Sequence, residues 1–269
     1  MTTNLRQLFL EHVGQTSDNP MMLEVERAEG VYLYGPDGRR WIDLISGVSV
    51  SAVGHGNRRV IDAICVQARD YLHLMVYGEA VESPQVRYAE RIASLLPDPL
   101  DTVYFVNSGS EAVEGALKLA KRYTGRTELV YYRNAYHGST AGSLSVMGGE
   151  EYRNSYRPLL PDTRCIRFNE PGDLKYITSR TACVIIEPVQ GEGGSSFRKR
   201  AIWKRCAAVA TRPARCSFST RYRPGWAGPA RSIFFSSTAS CPIYYVRPRR
   251  SEEACRSEPS SLRTGSCRR

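Results

Sequence analysis

Residues 106–120 read VNSGSEAVEGALKLA, and this stretch decides the fold of the chain. It continues an apolar run, residues 102–106, which predicts a buried strand. Residues 107–110 are a polar turn. From Glu111 to about Tyr123 the apolar residues recur at helical spacing, and Gly125 supplies a stop. We therefore expect a strand, a turn and a helix in direct succession.

The turn before this helix has the composition of an anion site. The first N–H groups of a helix have no partner within it, and the helix dipole is positive there, so a phosphate can bind. Gly109 permits close backbone approach, and Ser110 adds a hydroxyl. An ordinary capped helix, with Ser108 or Ser110 as the N-cap, explains the same residues without any ligand.

A second motif, NAYHGS at residues 134–139, directly follows the apolar run 129–132. An aromatic ring at the carboxyl end of a strand can cover one face of a planar cofactor, and Tyr136 is the candidate. Gly138 leaves backbone room beside it. The alternatives are a loop tyrosine that packs on its own domain and, for His137, a structural loop histidine.

A third motif, EPVQGEGG at residues 187–194, follows the apolar run 182–186. Polar side chains at the carboxyl end of a strand fit a ligand site, although an exposed glycine-rich turn would read the same way. Strands that alternate with helices indicate an α/β fold with a largely parallel sheet.

The preceding residues predict local elements only. Residues 31–44 suit a hairpin around the turn GPDG at 35–38. Residues 59–74 suit a helix with one apolar face, and residues 86–96 suit another that Pro97 stops. The apolar face of the first helix comprises Val60, Ile61, Ile64, Ala68 and Tyr71.

The motifs taken in order resemble one family. FVNSGSEAVEGALKLAKRYTGR, YHGST and VIIEPVQGEGG resemble the class III, pyridoxal-phosphate-dependent aminotransferases, in particular the acetylornithine and ornithine group, and GVYLYGPDGRRWIDLISGVSVSAVGH is similar to that family's N-terminal segment. The resemblance covers roughly residues 20–194. It implies the type I aminotransferase fold, a large domain with a mostly parallel sheet between helices, working as a homodimer with pyridoxal 5'-phosphate.

The resemblance also implies an activity and a set of site residues. The activity is transfer of an amino group from an acetylornithine- or ornithine-like amino acid to a 2-oxo acid; a 4-aminobutyrate-type or other ω-amino substrate is the alternative. Four positions match the cofactor contacts: Gly109 and Ser110 match the phosphate turn, Tyr136 the aromatic stacked on the ring, and Gln190 the side chain near the ring's phenolic oxygen. Glu192 matches a glutamate that, in the ornithine branch, pairs with a substrate-carboxylate arginine, and Glu187 matches a structural or site glutamate. His137 and Gly138, next to Tyr136, are further candidates. One departure is Gly56 after His55, where the family usually has proline.

The last part of the chain differs in composition. Residues 195–269 hold 17 of the 37 basic residues but three of the 27 acidic ones, and five of the eight cysteines. A basic arm for nucleic acid is one explanation of the net charge of +10. We expect no nucleic-acid partner, because such arms usually contain many lysines and seldom so many cysteines. The cysteines show no C-x-x-C pairing, so we expect no metal site.

A shifted reading frame explains this tail better. Codons for LLIFDEIQTGLGRTGK, a strand and loop typical of the family, give residues 216–231 when they are read one base late. VPDILCTAKALGGGMPLGAF, suitably coded, gives residues 241–260 in the same way. Overlapping codons permit few residues at each position, so two long matches by chance are not expected. The shift should lie between Gly194 and about Ile202.

The shift would remove the family's central chemistry. The aspartate codon would overlap Thr220 and the lysine codon Pro248 and Arg249, so we expect no Schiff-base lysine and a chain without activity. The sheet should also lack the strand after residue 215, which leaves the strand 182–186 with one uncovered side. A non-catalytic relative is the remaining alternative.

The expected organisation is therefore a small N-terminal segment (residues 1–55), a partial cofactor-binding domain (residues 56–198) and an out-of-frame, disordered tail (residues 199–269). No apolar run is long enough to span a membrane, and the N-terminus carries no recognisable signal peptide, so the expected location is the cytoplasm.

Overall fold

The computed structural model places the chain in two compact units, Met1–Val81 and Glu82–Arg269. The organisation expected from the sequence, with segments 1–55, 56–198 and 199–269, stays a prediction. His55 bridges to Gly30, and Asn57 already caps the next helix, so no linker separates them. The structure describes residues 4–49, 51–72, 74–75, 78–95, 101–187 and 189–194, and in addition the strand backbones at 196–197, 216–220 and 243–246.

The first unit contains a small antiparallel sheet. Strands β1 (Arg27–Glu29), β2 (Tyr32–Tyr34) and β3 (Arg40–Ile42) pair in that order. The predicted hairpin is β2–β3. Its turn closes by a hydrogen bond from the Gly35 N–H to the Arg39 carbonyl, and Gly38 adopts φ +77°.

Helices flank this sheet in the sequence. They are α1 (Leu5–His12), a short left-handed turn α2 (Ser46–Ser49) and α3 (Arg58–Tyr71). Helix α3 confirms the helix predicted over residues 59–74. No side chain of α3 is buried. The apolar face predicted from its spacing is therefore present but uncovered within the described residues.

The second unit is built on a five-stranded sheet. Its strands are β4 (Glu128–Tyr132), β5 (Thr163–Ile166), β6 (Thr181–Ile186), β9 (Cys216–Thr220) and β10 (Ile243–Val246), in the order β10-β9-β6-β4-β5. The first four run parallel, and only β10 is antiparallel to its neighbour β9. A separate pair, β7 (Val189–Gln190) and β8 (Ser196–Phe197), follows β6. The predicted largely parallel sheet is confirmed.

Both faces of β4 and β6 are buried, as parallel strands require. On one face lies α5 (Gly109–Thr124), the helix predicted from VNSGSEAVEGALKLA, which buries Val113, Leu117 and Ala120 against the sheet. It ends where Gly125 adopts the left-handed conformation. Two further helices, α4 (Ser83–Ser94) and α6 (Ala141–Ser145), lie before and after it in the chain. Residues 96 and 97 of the predicted end of α4 lie outside the described residues.

Two expectations do not hold. Residues 102–106 are not a buried strand but an irregular segment with Tyr104 largely exposed, since no other described strand pairs with it. The sheet does not end at β6, because β9 pairs with it from Cys183↔Cys216 to Ile186↔Ser219. Strands β9 and β10 lie within the tail expected to be disordered, and their aromatic and small polar residues are compatible with strands. The rest of residues 199–269 lies outside the described residues.

Candidate cofactor site

The three predicted motifs meet at one edge of the central sheet. NAYHGS follows β4 and EPVQGEGG follows β6, and these strands are parallel neighbours. Their carboxyl ends therefore lie side by side, which is where ligands bind in open α/β sheets. The amino end of α5 reaches the same place, because Ser110 contacts the loop after β4.

Ser108 caps the amino end of α5. It has an extended backbone, and its hydroxyl accepts a hydrogen bond from the Glu111 N–H at 3.2 Å. The Glu111 carboxylate in turn accepts the Asn107 N–H at 2.7 Å. This reciprocal arrangement resembles a capping box and decides between the two serines in favour of Ser108. The structure records no acceptor among the described residues for the N–H groups of Gly109 and Ser110.

Ser110 joins the helix to the loop after β4. Its hydroxyl oxygen accepts a hydrogen bond from the Ser139 N–H at 3.3 Å, so its own hydrogen remains to be donated elsewhere. Gly138 packs against this hydroxyl with φ +119°, and a side chain at Gly138 would overlap it. Ser110 and Gly138, which were predicted from two separate motifs, are therefore in contact.

Tyr136 projects from the same loop and is partly exposed. Its backbone N–H donates to Glu187 Oε2 at 3.2 Å, which ties the loop after β4 to the end of β6. Its ring meets the ring of Tyr152 edge-on, with the centroids 6.0 Å apart and the planes at 87°. This is a favourable edge-to-face geometry for two aromatic rings. No motif in the sequence signals the contact with Tyr152.

Strand β7, which follows β6, supplies Gln190. Its side chain is buried, and its Nε2 donates to the Arg133 carbonyl at 2.8 Å. One hydrogen of that amide nitrogen and the amide oxygen remain for a ligand. Glu187 is buried beside Tyr136, whereas Glu192 is exposed in the glycine-rich turn. Pro188, between these residues, lies outside the described residues.

His137 is buried in the loop, and burial lowers the pKa of its imidazole to about 3. The ring is therefore neutral near pH 7, because charging it would require transfer of a cation out of water. This favours the structural interpretation of His137 over the role of a proton carrier at neutral pH.

The described residues fit part of a pyridoxal phosphate molecule. The capped helix end, the Ser110 hydroxyl and the space left by Gly138 suit the phosphate, and Tyr136 suits one face of the ring. The chain has five lysines, of which Lys118 and Lys121 lie on α5 and Lys175 lies in the connection between β5 and β6. Lys199 and Lys204 are outside the described residues.

The described helices include none that is long and apolar enough to cross a bilayer. Within the same residues, no three histidine, cysteine or acidic side chains come together as metal ligands would.

Comparison with known proteins is consistent with this geometry. Residues 13–214 match the sequence model of the family described as Aminotransferase class-III. A LysW-aminoadipate semialdehyde/glutamate semialdehyde transaminase of Sulfurisphaera tokodaii is 38% identical over 173 residues, which are 64% of this chain and 44% of that protein. An acetylornithine aminotransferase of Archaeoglobus fulgidus is 37% identical over 185 residues, 68% of this chain and 48% of that protein. The chain thus spans about half the length of the curated relatives it matches.

Solved structures agree on the fold. An (S)-enantioselective omega-transaminase of Thermomicrobium roseum superimposes with a TM-score of 0.75 at 25% identity, over 84% of this chain and 59% of that one. The ornithine aminotransferase of Toxoplasma gondii gives a TM-score of 0.71 at 24% identity, over 82% of this chain and 53% of that one. The type I aminotransferase fold predicted from the motifs is confirmed.

Proposed function

Because this chain belongs to the class III aminotransferases, we propose that its residues 13–214 are the first part of a pyridoxal-phosphate-dependent enzyme that transfers an amino group from an acetylornithine-like amino acid to a 2-oxo acid. The observation that supports it is the meeting of three motifs at one sheet edge, with Ser110 against Gly138 and Tyr136 against Glu187. The bound cofactor would supply the reactive carbonyl and the electron sink of the reaction.

The chain's own residues would bind and orient that cofactor. The N-terminus of α5 and the Ser110 hydroxyl would hold the phosphate, and Tyr136 would cover one face of the ring. Gln190 would donate its second amide hydrogen to an oxygen on the ring, while its first stays on the Arg133 carbonyl. Glu187 would hold Tyr136 in position at the sheet edge, because its carboxylate accepts the hydrogen bond from the Tyr136 N–H.

The chain as printed should not complete the reaction. The frame interpretation leaves it without the lysine and the aspartate that the family uses, and the family match ends at residue 214, before β9 begins. The register of β9 supports the interpretation: Ser219 stands opposite Ile186, so Thr220 comes at the level at which β6 ends. This is the position where the overlapping codon would place the aspartate of the family's strand, beside the candidate site.

The test restores the frame and supplies amino donors with 2-oxoglutarate. We expect a change in the visible absorbance of the cofactor with acetylornithine and a weaker one with 4-aminobutyrate. The absence of any spectral change with every donor would refute the proposed function. A spectral change with 4-aminobutyrate alone would mean that the proposed amino donor is wrong, whereas the proposed reaction type would stand.

We also propose that the intact protein is a homodimer. Helix α3 exposes Val60, Ile61 and Ile64 on one face, and a monomer seldom leaves such a face uncovered. Ile64→Asp should shift the frame-restored protein toward the monomer in sedimentation velocity. The exposed Arg69→Asp on the same helix serves as a control for added charge alone.

A further inference from the structure

Helix α5 presents a second side chain to the loop that carries Tyr136. Glu114 lies four residues after Ser110, so both residues are on the same face of the helix. Glu114 Oε1 accepts three hydrogen bonds: from Thr140 Oγ1 at 2.6 Å, from the Gly142 N–H at 2.7 Å and from the Ser143 N–H at 3.2 Å. One carboxylate oxygen therefore accepts from three donors within the four residues 140–143, which are distant from it in the chain.

These donors belong to the start of α6. Thr140 occupies the N-cap position, but its side chain makes no capping bond to the helix and donates to Glu114 instead. The carboxylate of another helix thus does the work of an N-cap, and its negative charge faces the positive end of α6. A side chain at Gly142 would overlap this carboxylate, so glycine there admits it.

We propose that Glu114 is a positioning residue of the cofactor site, which clamps the loop between Tyr136 and Ser143 onto α5 and so sets Tyr136 relative to the phosphate-binding end of that helix. Ser110 and Glu114, four residues apart, face Gly138 and Gly142, also four residues apart. The helix and the loop therefore interlock at two successive levels. The ligand part of this proposal rests on the proposed function, whereas the clamp itself does not.

The clamp is tested on the ligand-free full-length chain by amide hydrogen exchange. Glu114→Ala removes the acceptor and should speed exchange at Gly142 and Ser143 on the order of tenfold, since bonds to charged acceptors are among the stronger ones. Glu114→Gln keeps Oε1 and should restore most of the protection. Glu90→Gln, an exposed carboxylate of α4, is the control. Unchanged exchange in Glu114→Ala would overturn the proposal.

A second variant approaches the contact from the loop. Gly142→Ala should displace the carboxylate and speed exchange at Ser143 to a similar extent, because the added methyl group would occupy its place. Gly115→Ala on α5 is the matched control, since a Cβ there would meet only the Tyr104 ring at an ordinary 3.5 Å. If the Ser143 amide exchanged as slowly in Gly142→Ala as in the Gly115→Ala control, the result would contradict the clamp.

The ligand part is tested with two probes, inorganic phosphate and pyridoxamine 5'-phosphate. Glu114→Ala should weaken the binding of pyridoxamine phosphate about tenfold and the binding of phosphate by less than about twofold. The end of α5 is intact in this variant, whereas the loop that carries Tyr136 loses its anchor to Glu114 and keeps only the one to Glu187. Parallel loss of both ligands would indicate a merely structural role and overturn the proposal. Failure of the frame-restored protein to bind pyridoxamine phosphate would refute the proposed function, and hydrogen exchange would still decide on the clamp.

Discussion

The hydroxyl oxygen of Ser110 occupies the space that a Cβ on Gly138 would need. The two residues lie 28 positions apart in the chain, and the backbone bond from Ser139 to Ser110 keeps them together. Gly138 also has φ +119°, which side chains rarely adopt. Contact and conformation both require glycine here, at the point where the phosphate-binding turn meets the loop of Tyr136.

Gly138→Ala should therefore lower the free energy of unfolding by more than backbone strain alone would. We expect a loss of about 2–3 kcal/mol in the free energy of unfolding and weaker phosphate binding, because the Ser110 hydroxyl must move. Gly125→Ala provides the comparison, since Gly125 has φ +66° but nothing near its missing side chain. Denaturant unfolding and phosphate titration measure the two effects, and equal losses in both variants would contradict the steric argument.

Glu128 should be a stability residue at the opposite, amino end of the sheet. It is buried at the start of β4, where its Oε1 accepts from Arg164 Nε at 3.0 Å and its Oε2 accepts from the Thr181 hydroxyl. Glu128→Ala should destabilise the chain by about 2 kcal/mol, moderated by the partial exposure of Arg164. Asp62→Asn, in the exposed pair with Arg58, should change stability by less than about 0.5 kcal/mol in the same denaturant experiment.

The buried His137 should make the chain sensitive to mild acid. Its native pKa of about 3 lies below the unfolded value of 6.5, so between these pH values the unfolded chain binds a proton that the native chain does not. The contribution of His137 to the free energy of unfolding is therefore complete above pH 6.5. It is lost as the pH falls below that value, by up to about 1.4 kcal/mol per pH unit. Asp173, whose pKa its bonds to Arg167 lower to about 2, contributes only below pH 3.8.

His137→Gln should remove this slope between pH 6.5 and 4.5, as measured by denaturant unfolding at each pH. His12→Gln, at an exposed site, should keep the slope of the unmodified chain. Identical slopes for His137→Gln and the unmodified chain would mean that the imidazole titrates normally.

The elements that local signals define could be predicted, and those that need a distant partner could not. Helix α5 has its cap at Ser108, its apolar face and its stop at Gly125 within 18 residues, so its position follows from the sequence. The apolar run 102–106 has the composition of a strand, but a strand forms only beside another one, and composition does not report the neighbour.

The same distinction applies to the candidate site. Gly109, Ser110, Tyr136 and Gln190 were found because each stands in a motif next to a strand end. Glu114 was missed because its three donors lie 26 to 29 residues away and its place in the helix reads as an ordinary exposed position. Only the packing of the loop against α5 reveals its contacts.

The frame interpretation predicts a specific nucleotide sequence. Between codons 190 and 205 the gene should contain a one-base displacement relative to its relatives, and reading in the other frame should continue into LLIFDEIQTG. Sequencing the genomic DNA and the transcript would locate it. An uninterrupted frame that encodes the printed tail, with the other frame closed by stop codons, would contradict this interpretation.

The printed chain should bind pyridoxal phosphate weakly and without a covalent bond to a site lysine. The end of α5 offers contacts to the phosphate, but the affinity of a phosphate alone is a fraction of that of the whole cofactor. Lys118 and Lys121 cannot reach across the ring from Tyr136, because both lie in the later turns of the helix whose first turn would hold the phosphate. Borohydride reduction of the cofactor-loaded chain, followed by peptide mass mapping, should therefore give only scattered, substoichiometric label. The frame-restored protein, treated in parallel, should be labelled at the lysine of the sequence AKALGGG. Stoichiometric label on a single lysine of the printed chain, together with turnover, would show that this chain is a working aminotransferase and that its last 75 residues contribute to the site.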